Sequence, residues 1–163
     1  MSDRVLRPSP LSQDSFTEYG DVIETDGRQF KLINDGSARN YSDLASIDVL
    51  TKNGHPQVSI YESNPLKQPI QIRILEHHPL ASQAFVPLGS DPFLVVVATE
   101  ATPGSVRAFI TNGRQGVNFR PNTWHHPLLV LKPESRFLVI DRGGEGDNCE
   151  IQDLAEALSL DLQ

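Results

Sequence analysis

Between Ile70 and His78 the chain alternates: even positions carry Ile72, Ile74, Glu76 and His78, odd ones Gln71, Arg73, Leu75 and His77. Successive strand side chains point to opposite faces, so the isoleucine face predicts the buried side, and it ends in a carboxylate and an imidazole. From Asp21 onward, short runs of β-branched and aromatic residues are punctuated by Gly, Pro, Asn and Asp. That grain predicts an all-β sandwich or barrel. Strands are expected near 21–25, 29–33, 57–62, 69–78, 82–88, 93–99, 106–111, 116–120, 125–131 and 136–142, while segment 41–50 is ambiguous. Phe93 to Ala98 shows no alternation, as befits a central strand covered on both faces. Asn112-Gly113 between two such runs is a hairpin signal. Ser12 is placed to cap a short helix carrying Phe16 and Tyr19 on one side, with Gly20 to stop it. The tail Ile151, Leu154, Ala155, Leu158 and Leu162 repeats at helical spacing, so a helix is expected to close the domain from outside. With no repeat or linker, residues 1–163 read as a single domain.

Charge narrows the partners. The 163 residues hold 14 Lys and Arg against 21 Asp and Glu, a net charge of −7. This opposes a phosphate-backbone binder, so no nucleic acid partner is expected. A chain of about 150 residues buries roughly 70% of its unfolded surface, enough for a core without staples. Cys149 is the only cysteine, which favours a reducing compartment and excludes cysteine-clustered zinc. The longest apolar run, Phe93 to Ala98, is far short of the ~20 residues of a membrane helix, and the polar start Met1-Ser2-Asp3-Arg4 is no signal peptide. A soluble cytoplasmic protein with no membrane partner is the expectation.

Candidate chemistry gathers in two places. A carboxylate at the depth of Glu76 needs a partner, and His78 and Gln83 are the nearest candidates. Alternation puts Gln83 on the side of Phe85 and Ser82 on the other, and Gln83 either orients a ligand or satisfies a strand end. Later, Pro121-Asn122 forms a turn in which Asn tolerates positive φ, followed directly by Trp124, His125 and His126. Adjacent histidines point to opposite faces, so at most one enters the interior unless the backbone bulges. Trp124 either stacks over a small substrate or, the favoured reading, anchors packing. Asp141-Arg142 reads as a structural ion pair, with a place in the pocket as the lesser alternative. Cys149 lies beside Asp147 and Glu150, whose charges raise a thiol pKa, and it reads as inert.

These two clusters resemble the two motifs of the cupin superfamily, with Glu76 and His78 in the places of the first histidine pair and Ser82 or Gln83 where a glutamate stands. The second motif resembles Asn122-Thr123-Trp124-His125, with Asn in place of Gly. The chain is more closely similar to the bacterial ureidoglycolate lyases, formerly called hydrolases. The resemblance is carried by Tyr19-Gly20-Asp21-Val22-Ile23-Glu24, Glu76-His77-His78-Pro79, Ser82-Gln83-Ala84-Phe85-Val86-Pro87 and Arg107-Ala108-Phe109-Ile110-Thr111-Asn112-Gly113. It continues in Gln115-Gly116-Val117, Trp124-His125-His126-Pro127-Leu128 and Ile140-Asp141-Arg142-Gly143-Gly144, and covers Leu6 to Cys149. The family usually has Arg at the position of His77, which agrees with an outward side chain there.

The resemblance implies a cupin-like double-stranded β-helix or jelly roll with a few peripheral helices. It implies an enzyme that cleaves (S)-ureidoglycolate to glyoxylate and urea in allantoin (purine) catabolism, a homodimer, and an association with nickel (Ni2+). That cleavage is an elimination: a base takes the hydroxyl proton, an acid protonates the departing nitrogen, and a cationic or hydrogen-bonding seat holds the carboxylate. The catalytic set expected on this basis is Glu76, His78 and His125, with Glu76 as base or as the orienter of His78. Gln83, Ser82, Arg107 and Trp124 are the expected substrate-binding residues, Arg107 as the carboxylate seat or else in a surface ion pair. If a divalent metal binds, His78, His125, Gln83 and Glu76 are its expected ligands, with Lewis-acid activation of the hydroxyl. Fold alone does not fix chemistry, so the alternatives are another cupin activity, a metal-dependent oxygenase or isomerase, and a noncatalytic small-acid binder.

Overall fold

The computed structural model describes residues 4–163. Met1–Asp3, part of the polar start, lie outside the described residues. In chain order the elements are β1 (Arg4–Leu6), β2 (Ser9–Pro10), α1 (Gln13–Phe16), β3 (Gly20–Ile23), β4 (Lys31–Ile33), β5 (Ala38–Asn40), β6 (His55–Ser63) and β7 (Gln71–His77). They continue with β8 (Gln83–Pro87), β9 (Phe93–Ala98), β10 (Arg107–Ile110), β11 (Gly116–Phe119), β12 (Trp124–His125), β13 (Leu129–Val130), β14 (Ser135–Gly143) and β15 (Glu150–Leu160). A single 3-10 turn, Thr51–Asn53, joins α1 as the only other helical element among the described residues.

Two sheets form the body, as an all-β jelly roll requires. One has eight strands in the order β1-β15-β7-β12-β9-β10-β2, with β13 also on β9; the other runs β3-β11-β8-β14-β6. The hairpin β4–β5 stands as its own two-stranded sheet. Between the two large sheets lies a core in which Phe93, Val95 and Val97 of β9 meet Phe85, Val117, Phe119, Phe137 and Val139. Burying a side chain of this size stabilises by about 1.5–3 kcal/mol. The opposite face of the eight-stranded sheet carries a second cluster, where Leu6, Leu154, Leu158 and Leu160 from the chain ends pack with Ile70, Ile72, Leu75, Leu94 and Val96. All six residues of β9 are buried, its odd members in the first cluster and its even members in the second.

The N-terminal helix forms as its cap predicts. The Ser12 side chain accepts from Ser15 N at 3.2 Å and Ser15 Oγ closes the reciprocal contact. Phe16 and Tyr19 are both buried, their rings 5.7 Å apart. Gly20 opens β3 because any Cβ there would lie 1.8 Å from the Asn118 carbonyl oxygen.

Three expectations are corrected. The tail is a strand, β15, antiparallel to β7 from Glu150↔His77 to Ser159↔Gln71, with a register slip between Asp153 and Leu158. That slip places Leu154 and Leu158 both inward, which imitates a helical spacing of four in the sequence. Second, Asn112-Gly113 does not close a hairpin: β10 pairs with β9 and β2, whereas β11 pairs with β3 and β8. The turn is a corner between sheets, held by Gln115, whose amide nitrogen donates to Leu11 O and Glu24 Oε2. Third, the alternation of β7 slips. Ile72 and Leu75 belong to the same outer cluster, while Glu76 turns toward the interior, and the change of phase lies opposite the irregularity in β15.

Segment 41–50 is an irregular strap. Asp48 N donates to Ser82 Oγ at 2.8 Å, Ser46 N donates to Asp21 Oδ2, and Val49 is buried.

Candidate active site

β12 consists of two residues, and it fixes the geometry. Wedged between β7 and β9, it sets His125 opposite both Glu76 and Val97. Paired residues of an antiparallel ladder share a face, so His125 and Glu76 project together into the space between the sheets. The His125 ring lies flat on Phe119, centroids 4.2 Å apart at 9°, and is 2% exposed. The preceding turn has Asn122 at φ 66°, the left-handed geometry expected of an Asn there.

His78 enters just past the end of β7. Its ring centroid is 5.2 Å from that of His125, and donor atoms of Glu76, His78 and His125 all lie within 4.8 Å of one another. Gln83, at the start of β8, reaches the same point: its Oε1 is 3.0 Å from His78 Nε2 and its Nε2 donates to Asp141 Oδ2 at 3.3 Å. Glu76, His78 and Gln83 line a hollow of about 640 Å³ together with Tyr61, Ser63, Phe85 and Cys149, and His125 is buried behind Glu76.

The proton inventory of the two histidines is instructive. His125 Nδ1 is 2.9 Å from the Thr123 carbonyl oxygen and His78 Nδ1 is 2.6 Å from that of Asn148. A carbonyl only accepts, so each Nδ1 carries the hydrogen, and a neutral ring then presents a bare lone pair at Nε2. Both Nε2 atoms face acceptors. His125 Nε2 faces Glu76 Oε1 at 3.4 Å and has no hydrogen-bond partner, and His78 Nε2 faces Gln83 Oε1. Asp141 fixes the Gln83 amide in that sense, since a carboxylate can only accept from its nitrogen.

Four acceptor atoms converging without a donor are unfavourable unless a proton or a cation lies among them. A divalent metal therefore fits the donors present: two Nε2 atoms oriented by backbone carbonyls, one carboxylate and one amide oxygen. Charge on the Glu76 carboxyl follows the same logic. Burial pushes its pKa up, but His125, the charge of His78 and the Cys149 thiol outweigh that and hold it below the ordinary carboxylate value. The Tyr61 hydroxyl is moved the other way, raised by burial and then by the charges of Asp141 and Glu76, so it stays a donor at neutral pH.

Other expected site residues lie elsewhere. Ser82 is 1% exposed and engaged with Asp48, pinning the strap on the far side of β8 from the hollow. Arg107 is exposed on β10 and donates to the carbonyls of Gly104 and Val106. Trp124 stacks on His77 at 3.9 Å and packs against the outer cluster, the anchoring reading rather than the stacking one. His77 faces outward as expected, its Nε2 2.6 Å from Glu150 Oε2. Glu76 does not orient His78, which the Asn148 carbonyl holds instead; its neighbour is His125. Asp141 and Arg142 are not paired: Arg142 donates to the carbonyls of Thr51, Lys52 and Glu145.

Sequence reasoning missed Tyr61, gave Asp141 a pocket role only as the lesser alternative, and set Cys149 aside as inert. Period two from the buried Phe137 and Val139 leads to Asp141 and was a usable signal; Tyr61 on an exposed edge strand and Cys149 in a turn gave none.

Comparison with known proteins places the chain. The sequence model of the ureidoglycolate lyase family matches residues 3–161. Ureidoglycolate lyases from Pseudomonas paraeruginosa and Azotobacter vinelandii are each 48% identical over 150 residues, covering 90% of this chain and 89% and 90% of theirs. The one from Stutzerimonas stutzeri is 47% identical over 90% of this chain and 88% of its own. Among solved structures, a 3,4-ketoisomerase from Helicobacter canadensis aligns with a TM-score of 0.47 and 14% identity over 79% of this chain and 87% of that one. With the family model spanning nearly the whole sequence and relatives this similar over nine-tenths of it, the chain belongs to the ureidoglycolate lyase family.

Proposed function

We propose that this protein is a lyase that splits (S)-ureidoglycolate into glyoxylate and urea, a step of allantoin breakdown, acting as a single domain over residues 1–163. The observation that carries the reading is the clustering of Glu76, His78 and His125, with Gln83 against His78, at the wall of one hollow in a chain of this family.

The substrate is an anion whose carbinol carbon bears a hydroxyl and a ureido nitrogen. No Lys or Arg lines the hollow. The positive charge that the substrate carboxylate needs must come from the imidazole pair or from a cation that the pair holds. Arg107 is too far round the sheet to provide it. The Glu76 carboxylate, kept ionised, takes the hydroxyl proton as the C–N bond breaks; the bond electrons go to nitrogen, and the carbinol becomes the aldehyde of glyoxylate. The departing nitrogen takes up the proton that Glu76 has accepted, which leaves urea. Gln83, held by Asp141, and the Tyr61 hydroxyl orient the ureido group. No water is consumed.

Glu76, His78, His125 and Gln83 are the residues that would hold a divalent metal, nickel by family association, and it would supply Lewis-acid polarisation of the substrate oxygens. The protein is further proposed to be a cytoplasmic homodimer. The single unpaired cysteine supports the reducing compartment, and the uncovered apolar residues Val58 and Ile60 on edge strand β6 support the dimer.

Incubating the purified protein with racemic ureidoglycolate, and following glyoxylate and urea together, tests the reaction. Equal release of both, stopping at half the substrate, is expected. Binding of glyoxylate without turnover of any ureido acid would move the protein to the small-acid binders.

A further inference from the structure

The His78 ring stands between two acceptors. Its Nδ1 is 2.6 Å from the Asn148 carbonyl oxygen and its Nε2 is 3.0 Å from Gln83 Oε1. A neutral imidazole carries one hydrogen and can satisfy only one of them. The shorter contact holds that hydrogen at Nδ1, which leaves the Nε2 lone pair on the side of Gln83 and the hollow. Released from Asn148, the ring would carry its hydrogen on Nε2 and donate it to Gln83, and the lone pair would be lost to the site.

The side chain of Asn148 keeps its own carbonyl in place. Asn148 Oδ1 accepts from Leu80 N at 2.8 Å, so one residue grips the turn His78-Pro79-Leu80 at both ends. The segment before it lies against the same turn: a Cβ at Gly146, which has φ 103°, would stand 3.2 Å from Cδ1 of the buried Leu80. The main chain of His78 is held from a second direction, its carbonyl accepting from Asn122 N at 3.0 Å. That bond ties His78 to the turn that leads into His125. With the main chain anchored there, the Asn148 carbonyl is what remains to fix the ring.

We propose that Asn148 is a positioning residue for the reaction: its side chain, bonded to Leu80 N, holds its carbonyl at His78 Nδ1 and so selects the tautomer that keeps Nε2 free as an acceptor in the hollow. Asn148 touches neither substrate nor reacting atoms in this role; it acts through His78. Partners that fix the tautomer and direction of a working imidazole are needed nearly as much as the imidazole itself. This inference rests on the reading of the hollow as the lyase active site.

Proton–nitrogen correlation spectra of isotope-labelled, chelator-treated protein read the tautomer directly, at a pH of about 8.5 where an ordinary imidazole is neutral. His78→Gln assigns the signal. The wild type is expected to carry the His78 hydrogen at Nδ1, and Asn148→Ala to move it to Nε2. Asn148→Asp, whose carboxylate oxygen still accepts from Leu80 N, should keep it at Nδ1. In the lyase assay Asn148→Ala should lower kcat about tenfold or more with a smaller change in KM, the scale of a lost partner behind a working His. Asn148→Asp should restore most of that loss, and circular dichroism checks that each variant is folded. The proposal is overturned if folded Asn148→Ala keeps the hydrogen at Nδ1, whatever its rate, or moves it at no cost in kcat. Should the alanine variant not fold, the other two proteins decide, because an Nε2–H ring in the wild type or in Asn148→Asp overturns the proposal equally. A wild type without lyase activity would end the proposed function, while the tautomer would still judge the hold of Asn148 on His78.

Discussion

Glu76 and His125 are register partners on adjacent antiparallel strands, and Oε1 of one stands 3.4 Å from Nε2 of the other. Sheet hydrogen bonding sets this distance, and the stack on Phe119 holds the ring from behind. The pair is organised before any ligand arrives, which is what a site of this kind needs.

Removing either partner should therefore abolish turnover by different routes. Glu76→Gln keeps the shape and loses the charge; glyoxylate release should fall about 10²-fold or more, the scale of a lost general base. His125→Ala should fall at least as far and also unfold more easily, because it leaves a cavity beside Phe119. A near-wild-type rate for Glu76→Gln, in protein with an unchanged melting curve, would remove Glu76 from the chemistry.

Asp141 reaches the hollow only through Gln83, yet it decides which end of that amide faces His78. Asp141→Ala should lower kcat/KM about tenfold, the scale of ~1.4 kcal/mol in positioning. Asp141→Asn, whose side-chain oxygen still accepts from Gln83, should recover part of the loss. Equal defects in the two variants would mean that charge, not amide orientation, is what Asp141 contributes.

How much of this was legible in the sequence depends on the range of the interaction. β9 and β14 were readable because each buries its apolar positions in the pattern the sequence shows. The β15 strand was not, since the slip between Asp153 and Leu158 copies a helical period and only pairing with β7 reveals the difference. Likewise Glu76 and His125 could each be named as candidates, but their mutual register comes from β12 lying between β7 and β9. The placement of Arg107 was hidden for the same reason: nothing local tells that two strands, β12 and β9, lie between β7 and β10.

Arg107 yields a sharp test of that topology. Its guanidinium is exposed and already donates to the carbonyls of Gly104 and Val106. Arg107→Ala should leave both KM and kcat within twofold of wild type and shift stability by no more than about 0.5 kcal/mol, as surface substitutions do. A tenfold rise in KM would return Arg107 to the role of carboxylate seat.

Metal removal separates the two sources of positive charge. If the imidazole pair acts with a bound divalent ion, dialysis against a strong chelator should remove most of the activity, and added Ni2+ should restore it while added Mg2+ does not. Undiminished glyoxylate release from protein shown by elemental analysis to be metal-free would assign the charge to the protonated imidazoles alone.

The proposed dimer is tested at the edge of the second sheet. β6 is a nine-residue edge strand with no partner on its outer side among the described residues, and Val58 and Ile60 are 66% and 47% exposed. Across the ladder Val58 meets Ile140 and Ile60 meets Leu138, which in turn meets Val86, so an apolar band crosses three strands on the outward face. The β4–β5 hairpin adds Leu32, 64% exposed, on a two-stranded sheet of a kind that is marginal when unsupported. Long, uncovered apolar edges invite association, and a symmetric pair of copies joined along β6 would cover this one. Light scattering behind size exclusion should give twice the chain mass for the wild type, and the double variant Val58→Asp, Ile60→Asp should run as a folded single chain. A wild type that is already monomeric at micromolar concentration would leave this face without the partner assigned to it.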